Sequence, residues 1–158
     1  MIRALVITAS NRAAAGVYPD KSGPLLVSLL GEAGCEVDGP VVVPDGEPVE
    51  AALRDGVAKD YDVIVTTGGT GLTPADLTPE MTARVITREI PGIAEAIRLV
   101  NRDKVPASVL SRGLAGQSER TLIINLPGSS GGVRDGVAVL APILEHAVDQ
   151  VRGGDHPR

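Results

Sequence analysis

The chain has 158 residues and a formal net charge of −5 at pH 7, a length typical of one domain with its own hydrophobic core. The acidic balance gives no basic face for phosphate backbones, and a chain without Phe or Trp has little aromatic surface for stacking on bases. Both features argue against a nucleic-acid binder. A single cysteine, Cys35, excludes an intramolecular disulfide and a cysteine-cluster metal site.

The sequence shows no sign of membrane insertion. It contains no run of about 18 apolar residues that could span a bilayer. The apolar stretch at residues 4–9 is shorter than the hydrophobic region of about 7–15 residues in a signal peptide. We therefore expect a cytoplasmic protein with no membrane partner.

Four short runs rich in β-branched residues predict strands, at residues 4–9, 40–43, 62–67 and 121–126. The runs lack strict alternation of polar and apolar residues, which is typical of parallel strands buried on both faces.

Helical patterns lie between and after these strands. Leu25, Leu26, Leu29 and Leu30 form one apolar face, and Val49, Leu53 and Val57 form another. Residues 79–101 contain two helical stretches separated by Pro91 and Gly92. A last apolar stripe, residues 133–151, predicts one long helix that Pro142 should kink.

The alternation of strands and helices predicts a single three-layer α/β/α domain with a mostly parallel sheet. The domain should cover residues 1–152, and residues 153–158 should form a disordered tail.

Two glycine-rich segments follow predicted strands. We call residues 68–71 the glycine loop and residues 127–132 the PGSSGG loop. In a parallel sheet such loops share the edge where ligands bind, and glycine lets backbone N–H groups turn toward an anion. Neither segment matches a Walker A loop or a dinucleotide-binding fingerprint. The sequence therefore indicates an anion site without a standard nucleotide signature.

Two aspartates should lie beside these loops, and each allows two interpretations. Asp76 could occupy the first turn of a helix that begins at Thr73 and Pro74, and Asp45 could simply form a turn. Alternatively, both carboxylates could hold Mg²⁺ against bound phosphates.

Six segments, taken in order, resemble the molybdopterin adenylyltransferases of the Mog/MoaB family, which includes the G domains of gephyrin and of the plant Cnx proteins. The segments are SNRAAAGVYPDKSG, VPDG, TTGGTG, DLTPE, VPASVLSRG and NLPGSSGG, and the match covers nearly the whole chain. The resemblance implies an α/β domain that forms a homotrimer. It also implies binding of molybdopterin and Mg-ATP, transfer of AMP to the pterin's terminal phosphate with release of pyrophosphate, and a partner enzyme that inserts molybdate.

The resemblance also assigns roles to residues. Asp45 and Asp76 match the catalytic, metal-holding carboxylates. The nucleotide-binding segment matches Thr67, Gly68, Gly69, Thr70 and Gly71. The pterin-binding side matches Ser10, Arg12, Asp20, Ser111, Arg112, Asn125, Leu126, Pro127 and Gly128. Arg12, Lys21 and Arg112 are the candidate phosphate-binding cations, with Arg112 favoured because a guanidinium can grip a phosphate in two places. Asn11 departs from the family pattern, because many relatives have Asp at this position.

Three alternatives stay open. Some MoaB-type members bind the pterin without adenylylating it. A CinA-like nucleotide pyrophosphatase would share the fold, although the residues around Ser10 and Ser111 suit the pterin pattern better. A Rossmann dehydrogenase is disfavoured by the missing fingerprint.

Overall fold

The computed structural model describes residues 1–154, and its sheet has the strand order β2-β1-β3-β6-β5-β4. β1, β2, β3 and β6 run parallel. At one edge β5 pairs antiparallel with β6, and β4 pairs antiparallel with β5. The strands are β1 Ile2–Ala9, β2 Cys35–Val43, β3 Val63–Thr67, β4 Arg88–Glu89, β5 Ala115–Ser118 and β6 Thr121–Leu126.

Seven α-helices and one 3-10 helix complete the described chain. The α-helices are α1 Asn11–Ala14, α2 Ser22–Glu32, α3 Glu47–Ala58, α4 Thr78–Ala83, α5 Pro91–Leu99, α6 Ser130–Leu140 and α7 Leu144–Val151. The 3-10 helix is Pro106–Leu110.

Each face of the sheet carries its own hydrophobic core. Side chains alternate between faces along a strand, so Ala4 and Val6 of β1 pack with α2, α5, α6 and α7, while Leu5 and Ile7 pack with α3 and α4. Ile7 is fully buried, because β1 lies between β2 and β3 and is covered by helices on this face. The predicted three-layer α/β/α domain with a mostly parallel sheet is confirmed.

The prediction of a helix that begins at Thr73 and Pro74 is wrong, because α4 begins at Thr78. Asp76 Oδ2 accepts hydrogen bonds from Thr73 N at 3.0 Å and Thr73 Oγ1 at 2.8 Å, which closes a turn there. The helix begins instead at Thr78, with Pro79 in its first turn, where proline is favoured. Asp76 is therefore a loop residue.

Two further differences have local causes. The helix expected across Pro142 is interrupted instead of kinked: α6 ends at Leu140 and α7 begins at Leu144, since proline lacks the N–H that a continuous helix needs. Strands β4 and β5 were not predicted, because β4 is only two residues long and β5, AGQS, has no apolar run.

The predicted disordered tail falls largely on residues 155–158, which lie outside the described residues, so it stays a prediction. Within residues 1–154 every helix is too short or too polar to cross a bilayer.

Candidate active site

The parallel strands end at one edge of the sheet, and their connecting loops meet there. β1, β2, β3 and β6 end at Ala9, Val43, Thr67 and Leu126 respectively. The β1–β2 pair shifts register between Leu5 and Ile7 and is consecutive from there to Ala9, whereas the other two parallel pairs are consecutive throughout. This is where ligands bind in open α/β sheets. Two cavities lie along this edge.

The first cavity, which we call the charged cavity, has a volume of about 620 Å³. Its ionisable lining residues are Arg12, Asp20, Lys21, Asp45 and Asp76. Hydroxyl groups and the glycine loop also contribute to its lining, which includes Thr8, Ser10, Tyr18, Ser22, Thr67, Gly68, Gly69, Thr73, Ser129 and Ser130. A site with both cations and carboxylates suits a phosphate chain with a bound metal ion.

The second cavity, which we call the apolar cavity, has a volume of about 800 Å³. Five apolar side chains contribute to its walls: Leu72, Val105, Ala107, Leu110 and Pro127. Its polar lining residues include Thr70, Asn101, Ser108, Ser111 and Asp135. Apolar walls with a few polar groups are typical of sites for a planar small molecule.

The two cavities share part of their walls. Gly69, Asp76, Gly128 and Ser129 line both. Two ligands held in the two cavities would therefore meet at Asp76 and at the two loops.

The glycine loop and the PGSSGG loop are tied together at this shared wall. Thr67 Oγ1 donates to Pro127 O at 2.8 Å, and Gly68 N donates to Leu126 O at 3.1 Å. Gly68 and Gly69 have φ values of 95° and 69°, in the region that favours glycine. The loop is therefore fixed before any ligand binds.

Asp45 lines the charged cavity, and Asn11, the residue that departs from the family pattern, holds it in place. Asn11 Oδ1 accepts from Asp45 N at 2.9 Å, and Asp45 Oδ2 accepts from Asn11 N at 3.3 Å. A neutral amide performs this bracing as well as a carboxylate would, and it adds no charge beside Asp45. Burial raises the pKa of the Asp45 carboxyl, and the nearby charge of Asp76 adds to this increase.

We expect Asp45→Asn to make the ligand-free protein more stable at neutral pH. A carboxyl whose pKa is raised on folding stabilises the fold below its ordinary range, and this contribution is lost as the pH rises through the raised value. The melting temperature of the variant minus that of the wild type should therefore grow between about pH 4 and about pH 7. Asp103→Asn, an exposed loop substitution, is the control. A difference that is constant with pH would contradict the assignment.

Two buried polar atoms near Gly69 lack hydrogen-bond partners among residues 1–154. They are Asp45 Oδ1 and the hydroxyl Oγ1 of Thr78, a residue with no exposed surface. Asp76 adds a second carboxylate on the same cavity. Among residues 1–154, no three or more His, Cys, Asp or Glu side chains are grouped so that they could hold a metal ion by themselves. Two carboxylates with phosphate oxygens and water suit Mg²⁺, which keeps several non-protein ligands.

Arg112 organises the loop that carries Asp76 and lines neither cavity. Its guanidinium donates from Nε to Gly71 O at 2.9 Å and from a terminal nitrogen to Asp76 O at 2.7 Å. It also pairs with Glu80, with Nη1 to Oε2 at 2.6 Å, and lowers the pKa of that carboxyl. The structure thus uses Arg112 to position the loop, whereas the sequence had suggested a phosphate ligand.

We expect Arg112→Ala to lower the free energy of unfolding by about 1–2 kcal/mol, because two loop carbonyls and Glu80 lose a charged donor that is partly exposed. Urea unfolding followed by circular dichroism measures this. Arg84→Ala is the matched control, since Arg84 pairs with Glu50 on the surface away from both cavities. An effect no larger than that of the control would contradict a positioning role.

Of the other residues on the expected pterin side, Ser10, Arg12 and Asp20 line the charged cavity, Ser111 and Pro127 line the apolar cavity, and Gly128 lines both. Asn125 and Leu126 line neither. The Asn125 amide donates to Thr66 Oγ1 and Thr82 Oγ1, each at 3.0 Å, and Leu126 is fully buried. These two side chains hold the sheet edge together.

Several lining residues were not expected from the sequence. Ser129 caps α6 by accepting from Gly132 N at 3.0 Å, a role that its position before a helix could have indicated. Asn101 and Asp135 lie together on the wall of the apolar cavity, with Asn101 Nδ2 donating to Asp135 Oδ2 at 3.3 Å. No sequence pattern links a residue in the turn after α5 to a residue of α6.

Comparison with known proteins gives consistent results. The family model "Probable molybdopterin binding domain" matches residues 5–146. The chain is 39% identical over 155 residues to a molybdenum cofactor biosynthesis bifunctional protein of Synechococcus elongatus, covering 97% of this chain and 48% of that protein. It is 36% identical over 153 residues to a molybdopterin adenylyltransferase of Helicobacter pylori, covering 94% of this chain and 86% of that one.

A solved structure of MogA superposes with a TM-score of 0.92 at 54% identity, covering 94% of this chain and 99% of the other. The chain spans about half the length of the bifunctional relatives that it matches. The match to the family model and the relatives above 30% identity establish that this chain belongs to the molybdopterin-binding-domain family of molybdenum cofactor biosynthesis proteins.

Proposed function

We propose that this chain is a molybdopterin adenylyltransferase, which transfers AMP from Mg-ATP to the terminal phosphate of molybdopterin and releases pyrophosphate. The observation that carries the proposal is the wall shared by the two cavities, where Gly69, Asp76 and Gly128 contact both spaces. A transfer between two phosphorylated ligands needs such a meeting point, because the enzyme works mostly by positioning and charge neutralisation. The Helicobacter relative carries the corresponding name.

We assign ATP to the charged cavity and the pterin to the apolar cavity. The charged cavity contains two cations, Arg12 and Lys21, for a phosphate chain, and Tyr18 is a partly exposed aromatic side chain on its wall. The apolar cavity has hydrophobic side chains in its walls, which suit a ring system. This assignment moves Ser10, Arg12 and Asp20 to the nucleotide side, whereas the family resemblance placed them on the pterin side.

Asp45 and Asp76 are the residues that would hold Mg²⁺. Asp45 Oδ1 is a buried oxygen without a hydrogen-bond partner, and a metal ion would supply one. When bound, Mg²⁺ would neutralise charge on the nucleotide phosphates.

The loops would hold the phosphates through their backbone. Gly68 N already donates to Leu126 O, so the N–H groups that can face an anion are those that follow in the glycine loop, from Gly69 onward. The first N–H groups of α6 add to them at Ser130. Arg112 would hold Asp76 at the wall shared by the two cavities through its hydrogen bond to Asp76 O. No protein base is required, since the pterin phosphate is already an anionic nucleophile.

The test is a pyrophosphate-release assay on the purified chain with Mg-ATP and molybdopterin, with product identification by mass spectrometry. Pterin-dependent release with formation of adenylyl-molybdopterin is the expected result. Tight pterin binding without release would instead assign a non-catalytic binding protein. Release from a nucleotide without any pterin would assign a pyrophosphatase.

We also propose that the chain acts as a cytoplasmic homotrimer that passes its product to a molybdate-insertion enzyme. Large apolar side chains outside both cavities remain exposed on the single chain, among them Leu99, Val100 and Val109. They lie near the contact of α5 with the 3-10 helix, where Ser108 Oγ donates to Arg98 O at 2.8 Å, and clustered exposed apolar side chains are typical of an interface. Sedimentation equilibrium should give three times the 16.2 kDa chain mass. A monomer at micromolar concentration would contradict this.

A further inference from the structure

The apolar cavity contains one carboxylate that the proposed transfer does not use, Asp135 of α6. Asn101 follows α5 and donates from Nδ2 to Asp135 Oδ2 at 3.3 Å. In the described chain Asp135 Oδ1 accepts no hydrogen bond, and the residue is only partly buried. One oxygen is therefore held in place while the carboxylate keeps lone pairs for a ligand.

The walls around this carboxylate suit a flat heterocycle. Leu72, Val105 and Leu110 are 65%, 46% and 53% exposed in the ligand-free chain. Covering them with a ring would remove apolar surface from water. The volume of about 800 Å³ falls within the usual range for small-molecule sites.

We propose that Asp135 selects the ring of the ligand in the apolar cavity by accepting two N–H groups from a 2-amino-4-oxo-pyrimidine edge, the edge of a pterin. That edge presents the ring N3–H beside the exocyclic 2-amino group, and two carboxylate oxygens match this pair as charge-assisted acceptors. Asn101 is the positioning residue that fixes the carboxylate. The inference rests on the proposed function for the identity of the ligand.

The same geometry excludes adenine from this cavity. The amino edge of adenine places a donor beside a ring-nitrogen acceptor, so one oxygen of Asp135 would face a lone pair. A guanine base shares the edge of a pterin, and it is therefore the competitor that the experiment must separate. Discrimination at Asp135 would keep ATP in the charged cavity and leave the apolar cavity to the second substrate.

The experiment measures binding of two probes to the full chain by isothermal titration calorimetry, without ATP. The probes are 6-(phosphooxymethyl)pterin and its lumazine counterpart, which has a 2-oxo group in place of the 2-amino group. The wild type should bind the pterin at least about tenfold more tightly, which corresponds to about 1.4 kcal/mol. Asp135→Asn should reverse the preference, since an amide presents one acceptor and one donor, which match the N3–H and the 2-oxo group of lumazine.

Two further variants test the positioning role and the specificity of the effect. Asn101→Ala should weaken pterin binding by about threefold to tenfold, because the carboxylate remains but is no longer oriented. Glu95→Gln, which removes an exposed carboxylate on α5 outside both cavities, should change nothing.

Equal affinity of the wild type for the two probes, no binding of the pterin probe, or an unchanged preference in Asp135→Asn would each overturn the proposal. Displacement of the pterin probe by GMP at equal affinity would overturn the pterin assignment in favour of a guanine nucleotide. If a variant fails to fold, the affinities of the wild type for the two probes can still overturn the proposal. Ring selectivity without pyrophosphate release would refute the proposed function alone, and release without ring selectivity would refute this inference alone.

Discussion

Asp76→Asn and Asp45→Asn are each expected to lower pterin-dependent pyrophosphate release by roughly 10²–10³-fold, because each removes one of the two carboxylates that would hold Mg²⁺ on ATP. The amide retains an oxygen that can accept from Thr73 in the first variant and from Asn11 in the second. The loops should therefore keep their shape. Steady-state assays at saturating ATP, with Mg²⁺ varied, measure the loss.

The control for these two variants is Glu47→Gln, which removes an exposed carboxylate from the first turn of α3, near Asp45 in the chain but outside both cavities. Its rate should equal that of the wild type. If Asp76→Asn instead keeps its rate and unfolds at lower temperature, Asp76 serves only to close its turn with Thr73. Adding Mg²⁺ with a non-hydrolysable ATP analogue should raise the melting temperature of the wild type more than that of either variant.

The sequence predicted the presence of all four parallel strands and the edge on which the site lies, although β2 begins at Cys35 and not at residue 40 as predicted. Strand β6 has the bounds predicted from its apolar run, residues 121–126. Asp45 and Asp76 follow two different parallel strands, and the structure places both on the charged cavity. The rule that parallel strands share a carboxyl edge is enough for that prediction, because it depends on strand direction and not on side-chain detail.

What could not be predicted depends on contacts between distant residues. Arg112 looked like a phosphate ligand because it is a cation next to Ser111, yet it is occupied by Gly71, Asp76 and Glu80. The 3-10 helix Pro106–Leu110 contributes Ala107, Ser108 and Leu110 to the wall of the apolar cavity, beside loops that are distant in the sequence. Neither a motif nor a periodicity carries that information.

Gly69→Ala is expected to lower the free energy of unfolding by about 2–4 kcal/mol and to abolish most of the activity. Its φ of 69° is costly for alanine. An added methyl group would also overlap Thr78 Oγ1, a buried atom, and would lie 2.9 Å from Asp45 Oδ1. The substitution would therefore push on the carboxylate that is proposed to hold the metal. Chemical denaturation and the pyrophosphate assay on the same samples measure both effects.

Two other glycines separate the backbone effect from the collision. Gly16 has a φ of 74° and no atom within 4 Å of an added Cβ, so Gly16→Ala should cost only the conformational penalty of about 1–2 kcal/mol. Gly31 lies in α2 with open space around it, and Gly31→Ala should stabilise the protein by about 0.5–1 kcal/mol. If Gly69→Ala costs no more than Gly16→Ala and retains activity, the loop can move away from Asp45. The rigid shared wall would then not be what aligns the two substrates.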